Sequence, residues 1–137
     1  MNNVFDNSNI IELITEINRV TNNYYYYEIG DIAPLVYMQG KCYYFAKALQ
    51  KVVPNSELYL IKNPAHIILK VENNFYDARG LLINDGMYDS KASVPLEENK
   101  SYLSLIINKD EKQRLEELLD KIVKEACDNL LTKSKTK

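Results

Sequence analysis

Apolar residues recur at helical spacing in three segments of the chain. Residues 8–20 (SNIIELITEINRV) begin with Ser8, which can cap a helix. Residues 41–53 (KCYYFAKALQKVV) end before a proline, and residues 108–131 begin with Asn108 as a second capping residue. The predicted apolar faces consist of Ile10, Ile11, Leu13, Ile14 and Ile17; of Phe45, Ala46, Leu49 and Val53; and of Leu115, Leu118, Leu119, Ile122, Ala126 and Leu130. We therefore predict three helices, two near the start of the chain and one at its end.

Four shorter segments have the alternation and the β-branched or aromatic content of strands. The predicted strands are SELYLIK (56–62), AHIILKV (65–71), NFYDARG (74–80) and SYLSLII (101–107). Residues 81–100 lie between the third and the fourth and are expected to be irregular. Strands that follow one another in sequence, with helices on both sides, predict an α+β fold with an antiparallel sheet.

Two further segments are predicted to lack regular structure. Residues 21–40 contain four successive tyrosines but are interrupted by glycines and a proline, so we expect a loop or short strand with half-buried tyrosines. The basic, apolar-poor residues 132–137 are expected to form a disordered tail. Residues 1–131 would then form a single domain, a size at which one core is normal.

Composition excludes several classes of function. The 137 residues carry a net charge of about −2, which gives no electrostatic reason to expect a nucleic-acid or membrane partner. No apolar run is long enough to span a membrane, and the first residues do not form a secretory signal, so we expect a cytoplasmic protein. Two cysteines and one histidine are too few for a disulfide framework or a structural zinc site, and no nucleotide-binding motif is present. We expect no cofactor and no metal, and the oligomeric state stays open.

Cys42 stands at the start of the second predicted helix. Unpaired N–H groups and the positive end of the helix dipole stabilise a thiolate at such a position. Lys41 adds a positive charge, and Gly40 allows the backbone to turn sharply into the helix. The alternative is a buried core cysteine, because free cysteines are among the most buried residues.

His66, the only histidine, begins the second predicted strand, and Asp77 ends the third. A two-residue turn at Glu72 and Asn73 would place Asp77 on the face of His66, within side-chain reach. A turn one residue later would move it too far, and a three-residue loop would place it on the wrong face. The asparagines at this turn do not decide between these registers, since both tolerate a positive φ. The carboxylates that could replace Asp77 are Asp31, Asp85 and Asp89.

These three residue types are those that nucleophilic catalysis by a thiol requires: a nucleophile, a base and an acceptor that orients the base. Residues 40–80 resemble the catalytic core of the papain-like Cys-His-Asp superfamily, in particular its transglutaminase-like and arylamine acetyltransferase-like branches and small papain-like proteins of bacteria and phages. The shared pattern is G-x-C at a helix start, a small residue at Ala46, a strand that begins with His66, and the ending aromatic-Asp-x-x-Gly. The resemblance implies that Cys42 is the nucleophile, His66 the base and Asp77 the orienting residue.

The resemblance also implies a papain-like core and an oxyanion site near the cysteine. Candidates for oxyanion or substrate contacts are Gln39, Gly40 and Tyr43. Gln39 lies closer to the cysteine than the equivalent glutamine of papain-like peptidases, and the chain lacks the tryptophan that many members carry.

The implied activity is thiol-dependent acyl transfer on a peptide or protein substrate, as in a cysteine protease, a glutamine deamidase or a related amidohydrolase. One alternative is a non-catalytic binding or inhibitor protein on the same scaffold. The other is a structural domain that buries Cys42.

Overall fold

The fold consists of helices packed on one face of an antiparallel sheet. A computed structural model describes residues 5–38, 40–62, 65–82, 93–96, 107 and 109–135. Its helices are α1 (Ile10–Tyr24), α2 (Tyr26–Ile29), a 3-10 helix (Leu35–Met38), α3 (Cys42–Val52) and α4 (Lys109–Lys135). Its strands are β1 (Ser56–Lys62), β2 (Ala65–Val71), β3 (Asn74–Asp77), β4 (Gly80–Leu82) and β5 (Ser93–Pro95). The predicted α+β class with an antiparallel sheet is confirmed.

The sheet has the strand order β4-β3-β2-β1-β5 in the part of the chain that the structure describes, and each pair of neighbours is antiparallel. β2 and β3 pair from Val71 opposite Asn74 to Leu69 opposite Tyr76. The turn between them therefore consists of Glu72 and Asn73. This confirms the register that brings Asp77 to the face of His66, although the residue with positive φ is Glu72 (φ 57°) and neither asparagine.

The two faces of the sheet differ in what covers them. One face contributes to the large core beneath the helices, where α3 lies against β1 and β2 and α4 packs on α1 and α3. Its buried sheet residues include Leu60, Ile67, Leu69, Val71 and Tyr76. The other face carries a smaller cluster formed by Ile61, Ile68, Phe75 and Leu82 with Tyr59 at its edge. The alternation predicted along β2 is thus confirmed.

α1 differs from its prediction at both ends. Its N-cap residue is Asn9, and the backbone N–H of Ser8 binds Asp6 Oδ1 at 2.9 Å, so Ser8 as the cap is wrong. Ile11 is 47% exposed, whereas the other four residues of the predicted face are buried. The helix continues to Tyr24, beyond the predicted end.

The segment 21–40 is largely helical, and its described residues, which omit 39, contain no strand. Thr21 Oγ1 donates to the carbonyl of Ile17 and lies 2.7 Å from the hydroxyl of Tyr37. The side chain of Asn22 binds both the N–H and the carbonyl of Ala33. These contacts fold the segment back onto α1, so tertiary packing overrides the β propensity of the tyrosines. The prediction of half-buried tyrosines holds for Tyr25 and is wrong for the exposed Tyr24, Tyr26 and Tyr27.

The region after β3 contains the remaining differences. β4 and β5 lie partly or wholly in residues 81–100, which were expected to be irregular. Of the predicted strand 101–107, only Ile107 is among the described residues. The predicted cap Asn108 also lies outside them. α4 continues to Lys135, so most of the expected disordered tail is helical.

Candidate functional site

Cys42 is the first residue of α3, as the sequence predicts. Gly40 precedes it with φ 92°, a left-handed conformation that favours glycine, and Lys41 is the N-cap residue. The helical hydrogen bonds of α3 begin at Phe45, whose backbone N–H donates to the carbonyl of Lys41 at 3.2 Å. The N–H groups of the first turn therefore have no partner within the helix and can serve the thiol or a ligand. The thiol itself is partly exposed.

The sulfur of Cys42 is held against the start of β2. The backbone N–H of Ile67 donates to Sγ at 3.5 Å. The pairing of β3 with β2 extends only to Leu69, so the amide of Ile67 lies beyond it and can reach the sulfur. Ala46, one turn along α3, is 2% exposed in the core between helix and sheet. A small side chain there is compatible with the close approach of α3 to β2.

His66 and Asp77 are in direct contact. His66 Nε2 lies 2.9 Å from Asp77 Oδ2, across the register set by the Glu72–Asn73 turn. The side chain of His66 is 12% exposed and that of Asp77 is 2% exposed. A buried carboxylate in this position fixes the orientation of the imidazole ring.

The imidazole of His66 and the thiol of Cys42 are also close enough to shift each other's pKa. Because Asp77 occupies Nε2, the ring nitrogen left for the thiol is Nδ1. The three residues predicted as a site thus lie together, in the order thiol, imidazole and carboxylate.

The electrostatics of this chain favour the charged forms. Burial disfavours the thiolate, but the His66 side chain and the N–H of Ile67 outweigh it, so the pKa of Cys42 lies below its usual value of 9.0. Burial likewise lowers the pKa of His66, but the hydrogen bonds with Asp77 and Cys42 raise it to about 9. Burial also acts against the Asp77 carboxylate, and its bonds to His66 and Arg79 hold its pKa below 3.8. Both shifts favour a Cys42 thiolate beside a protonated His66.

Arg79 is the site residue that sequence reasoning missed. Its Nη2 donates to Asp77 Oδ2 at 2.7 Å, and its Nε lies within 3.2 Å of both carboxylate oxygens. Its backbone N–H donates to Asp77 Oδ1 at 2.8 Å. The available signal was an arginine two residues after the aspartate, in a tight turn that ends at a glycine (Asp77-Ala78-Arg79-Gly80).

The other candidates contribute less or lie elsewhere. Gln39 lies outside the described residues. The ring of Tyr43 is 8% exposed and packs in the core, so what this residue gives the site is its backbone N–H, which bonds the thiol of Cys42. Asp31 binds the N–H of Ile32 through Oδ1. Cys127 is buried on α4, where burial raises its pKa to about 11.

Neither a metal centre nor a membrane span is found in the part of the chain that the structure describes. No three or more His, Cys, Asp and Glu side chains are arranged there to hold a metal ion. No helix of that part combines the length and the apolarity needed to cross a bilayer.

Comparison with known proteins places the chain in one family. The model of the family described as Phage YunG-like protein matches residues 10–120. The chain belongs to this Phage YunG-like family. The match includes Cys42, His66, Asp77 and Arg79 together with the sheet, and the family's description points to a phage or bacterial origin. No curated protein and no solved structure matches the chain.

Proposed function

We propose that the chain is a thiol-dependent acyl-transfer enzyme that acts on amide bonds of a peptide or protein, with Cys42 as nucleophile. The observation that carries this proposal is the placement of the Cys42 sulfur against Ile67, the neighbour of His66, whose imidazole binds the buried Asp77. A structural cysteine needs no such partner, whereas a nucleophile needs a base and an orienting acceptor. On this proposal the fold around residues 40–80 is a papain-like core.

In the first half-reaction the Cys42 thiolate attacks the amide carbonyl carbon, and the carbonyl oxygen becomes an oxyanion. The N–H of Cys42, in the first turn of α3, would donate to that oxyanion. The imidazolium of His66 gives its proton to the leaving nitrogen, the carbon–nitrogen bond breaks, and a thioester with Cys42 remains.

In the second half-reaction neutral His66 takes a proton from water or from an amine that attacks the thioester. The acyl group leaves as a carboxylic acid or as a new amide, and Cys42 returns as the thiolate beside protonated His66. Asp77 stays ionised throughout and stabilises the imidazolium, in accordance with its lowered pKa.

A peptide or protein substrate fits the surface that precedes Cys42 in the chain. Exposed apolar and aromatic side chains are concentrated in residues 24–35: Tyr24, Tyr26, Tyr27, Ile32 and Leu35. Tyr37, which follows this segment in the chain, packs on Phe45 of α3 with ring centroids 5.0 Å apart. Exposed apolar side chains of this kind favour an apolar polypeptide segment over a small polar molecule as the ligand.

The experiment that tests the proposal measures alkylation of Cys42 by iodoacetamide as a function of pH, in a Cys127→Ala background that leaves a single thiol. We expect alkylation at neutral pH to be at least about tenfold faster than that of the urea-unfolded chain, because the lowered pKa of Cys42 raises the thiolate fraction. His66→Gln should remove most of this advantage.

A pool of peptides then distinguishes an enzyme from a binding scaffold. Mass spectrometry should show fragments for a protease, or an intact peptide with a slightly higher mass for a deamidase, and Cys42→Ala should abolish either product. Cys42 alkylation no faster in the folded than in the unfolded chain, together with unchanged peptides, would leave the non-catalytic binding protein as the function.

A further inference from the structure

We propose that Arg79 is a positioning residue that holds Asp77 in the orientation in which it binds His66. The catalytic meaning of this inference rests on the proposed function, but the positioning itself does not. Arg79 contacts Asp77 and acts on the imidazole through that carboxylate.

The contacts of Arg79 bind both carboxylate oxygens. Oδ1 of Asp77 accepts hydrogen bonds from the backbone N–H of Arg79 at 2.8 Å and from its Nε at 3.2 Å. Oδ2 accepts hydrogen bonds from Nε at 3.1 Å and from Nη2 at 2.7 Å. Two-point binding by a planar guanidinium restricts rotation of a carboxylate, which a single bond does not. Oδ2 is also the oxygen that binds His66 Nε2, so the guanidinium fixes the atom that fixes the imidazole.

The local backbone makes this arrangement possible. Asp77 ends β3 and pairs with Gly80, which begins β4, so Ala78 and Arg79 form the connecting turn. Gly80 takes φ 109°, and the carbonyl of Ala78 accepts a hydrogen bond from Asn18 Nδ2 of α1 at 2.8 Å. The turn is therefore held from α1 independently of the guanidinium.

Positioning and simple charge predict opposite effects on His66. As a cation near the site, Arg79 disfavours the imidazolium, so loss of its charge alone would raise the pKa of His66. As a positioning residue, it keeps Asp77 against the imidazole, so its loss would let the carboxylate rotate away and lower the pKa of His66. The sign of the change in the His66 pKa therefore decides between a positioning role and a simple charge effect.

Arg79 can be replaced without loss of buried packing, because its side chain is 52% exposed. Arg79→Met retains the aliphatic stem and the backbone N–H bond to Asp77. Arg79→Lys retains the charge but not the planar fork. Arg114→Met is the matched control, since Arg114 is 53% exposed and forms its ion pair with Glu111 on α4.

The test follows the ring resonance of His66 by NMR over pH, which is unambiguous because the chain has one histidine. In Arg79→Met we expect the pKa of His66 to fall by roughly half to one pH unit, less than in Asp77→Asn because the backbone N–H remains. The pH midpoint of Cys42 alkylation by iodoacetamide should rise by a similar amount, because a less basic imidazole stabilises the thiolate less. Arg79→Lys should change the His66 pKa and the alkylation of Cys42 in the same directions as Arg79→Met does. Arg114→Met should change neither.

An unchanged or higher pKa of His66 in Arg79→Met would overturn the inference, and so would an Arg79→Lys variant that matches the unmodified protein in both measurements. Neither measurement uses a substrate. A protein that cleaves no peptide but shows the lowered His66 pKa would therefore retain the positioning role of Arg79 and lose the proposed function.

Discussion

The backbone N–H of Ile67 donates to Sγ of Cys42 at 3.5 Å, which joins the first residue of α3 to the third residue of β2. His66 precedes Ile67 on the same strand. The contact of α3 with β2 therefore fixes the sulfur relative to the strand that carries the imidazole. A thiolate gains from both neighbours, because one donates a hydrogen bond and the other carries a positive charge. The reactivity of Cys42 therefore depends on how closely α3 approaches β2.

Replacement of Cys42 by serine should lower the pKa of His66. The thiolate is one source of the raised pKa of about 9, and serine carries no charge in this range. The pKa should remain above 6.5, because Asp77 still binds Nε2. NMR titration of the single histidine measures it, with Cys127→Ser as the control that should leave the value unchanged. An unaltered His66 pKa in Cys42→Ser would mean that the two side chains are not coupled.

Stability should depend on pH through His66. Its folded pKa of about 9 exceeds the usual 6.5, so its contribution is fully present below pH 6.5 and is lost as the pH rises through about 9. A Cys42→Ser background removes the thiol, whose lowered pKa has the opposite pH dependence. In that background we expect the advantage of His66 over His66→Gln in unfolding free energy to shrink as the pH rises, by on the order of 1 kcal/mol. Urea unfolding at both ends of the window measures this difference. An advantage that grows with pH would contradict the raised pKa.

Replacement of Asp77 by asparagine should slow chemistry while the fold persists. Oδ2 of Asp77 accepts hydrogen bonds from both His66 and Arg79, and Oδ1 accepts them from Arg79. In Asp77→Asn the NH₂ group replaces one of these oxygens, so in either orientation of the amide it faces a donor. We expect Cys42 alkylation at neutral pH to fall by at least about tenfold.

The control for this substitution is Asp31→Asn, because Asp31 was the other described carboxylate that the sequence allowed. Its Oδ1 binds only a local N–H, so alkylation should be unchanged. A loss in Asp31→Asn with none in Asp77→Asn would reverse the assignment. Circular dichroism checks that both variants remain folded.

The sequence predicts those parts of the fold that have a long apolar period. The helices α1, α3 and α4 and the strands β1 and β2 each present several residues to the core, and their spacing identified them. β4 and β5 have three residues each, too short for an alternation to be recognised. The tyrosines of residues 24–27 have high β propensity, yet their backbone follows α1 because Thr21 and Asn22 bind the returning chain.

The candidate site was predictable in its residue types but not in its register. Cys42 followed from its place at a helix start, and His66 and Asp77 from their strands. The turn between β2 and β3 was undecided because the positive φ falls on Glu72, which local preference does not favour. Arg79 could not be assigned, since its role depends on a turn whose geometry appears only once β3 and β4 are paired.

Cys127 should prove structural. It is buried on α4 with a pKa raised to about 11, so little of it is ionised at neutral pH. It also borders a groove of about 600 Å³ between α3 and α4, which reduces what the core loses on truncation. Cys127→Ala should cost about 1 kcal/mol of unfolding free energy. Alkylation of Cys42 should be unchanged, and a loss of that reactivity in Cys127→Ala would give the second cysteine a functional role.

Replacement of Ala46 by leucine should separate α3 from β2. Ala46 is 2% exposed within the core, so the added atoms have no space and the helix must shift. We expect a loss of roughly 1–3 kcal/mol in unfolding free energy, and slower alkylation of Cys42 as its contacts with Ile67 and His66 lengthen. Ala48→Leu is the matched control on the same helix. Ala48 is 3% exposed but borders the 600 Å³ groove, which can accept a larger side chain.

The two variants together distinguish the helix–sheet contact from general overpacking of α3. Urea unfolding gives the cost of each, and iodoacetamide gives the reactivity of Cys42. If the close approach of α3 to β2 sets that reactivity, Ala46→Leu reduces it by a larger factor than Ala48→Leu. Equal effects of the two substitutions would show that Cys42 responds to the stability of the helix and not to its distance from the strand that carries His66.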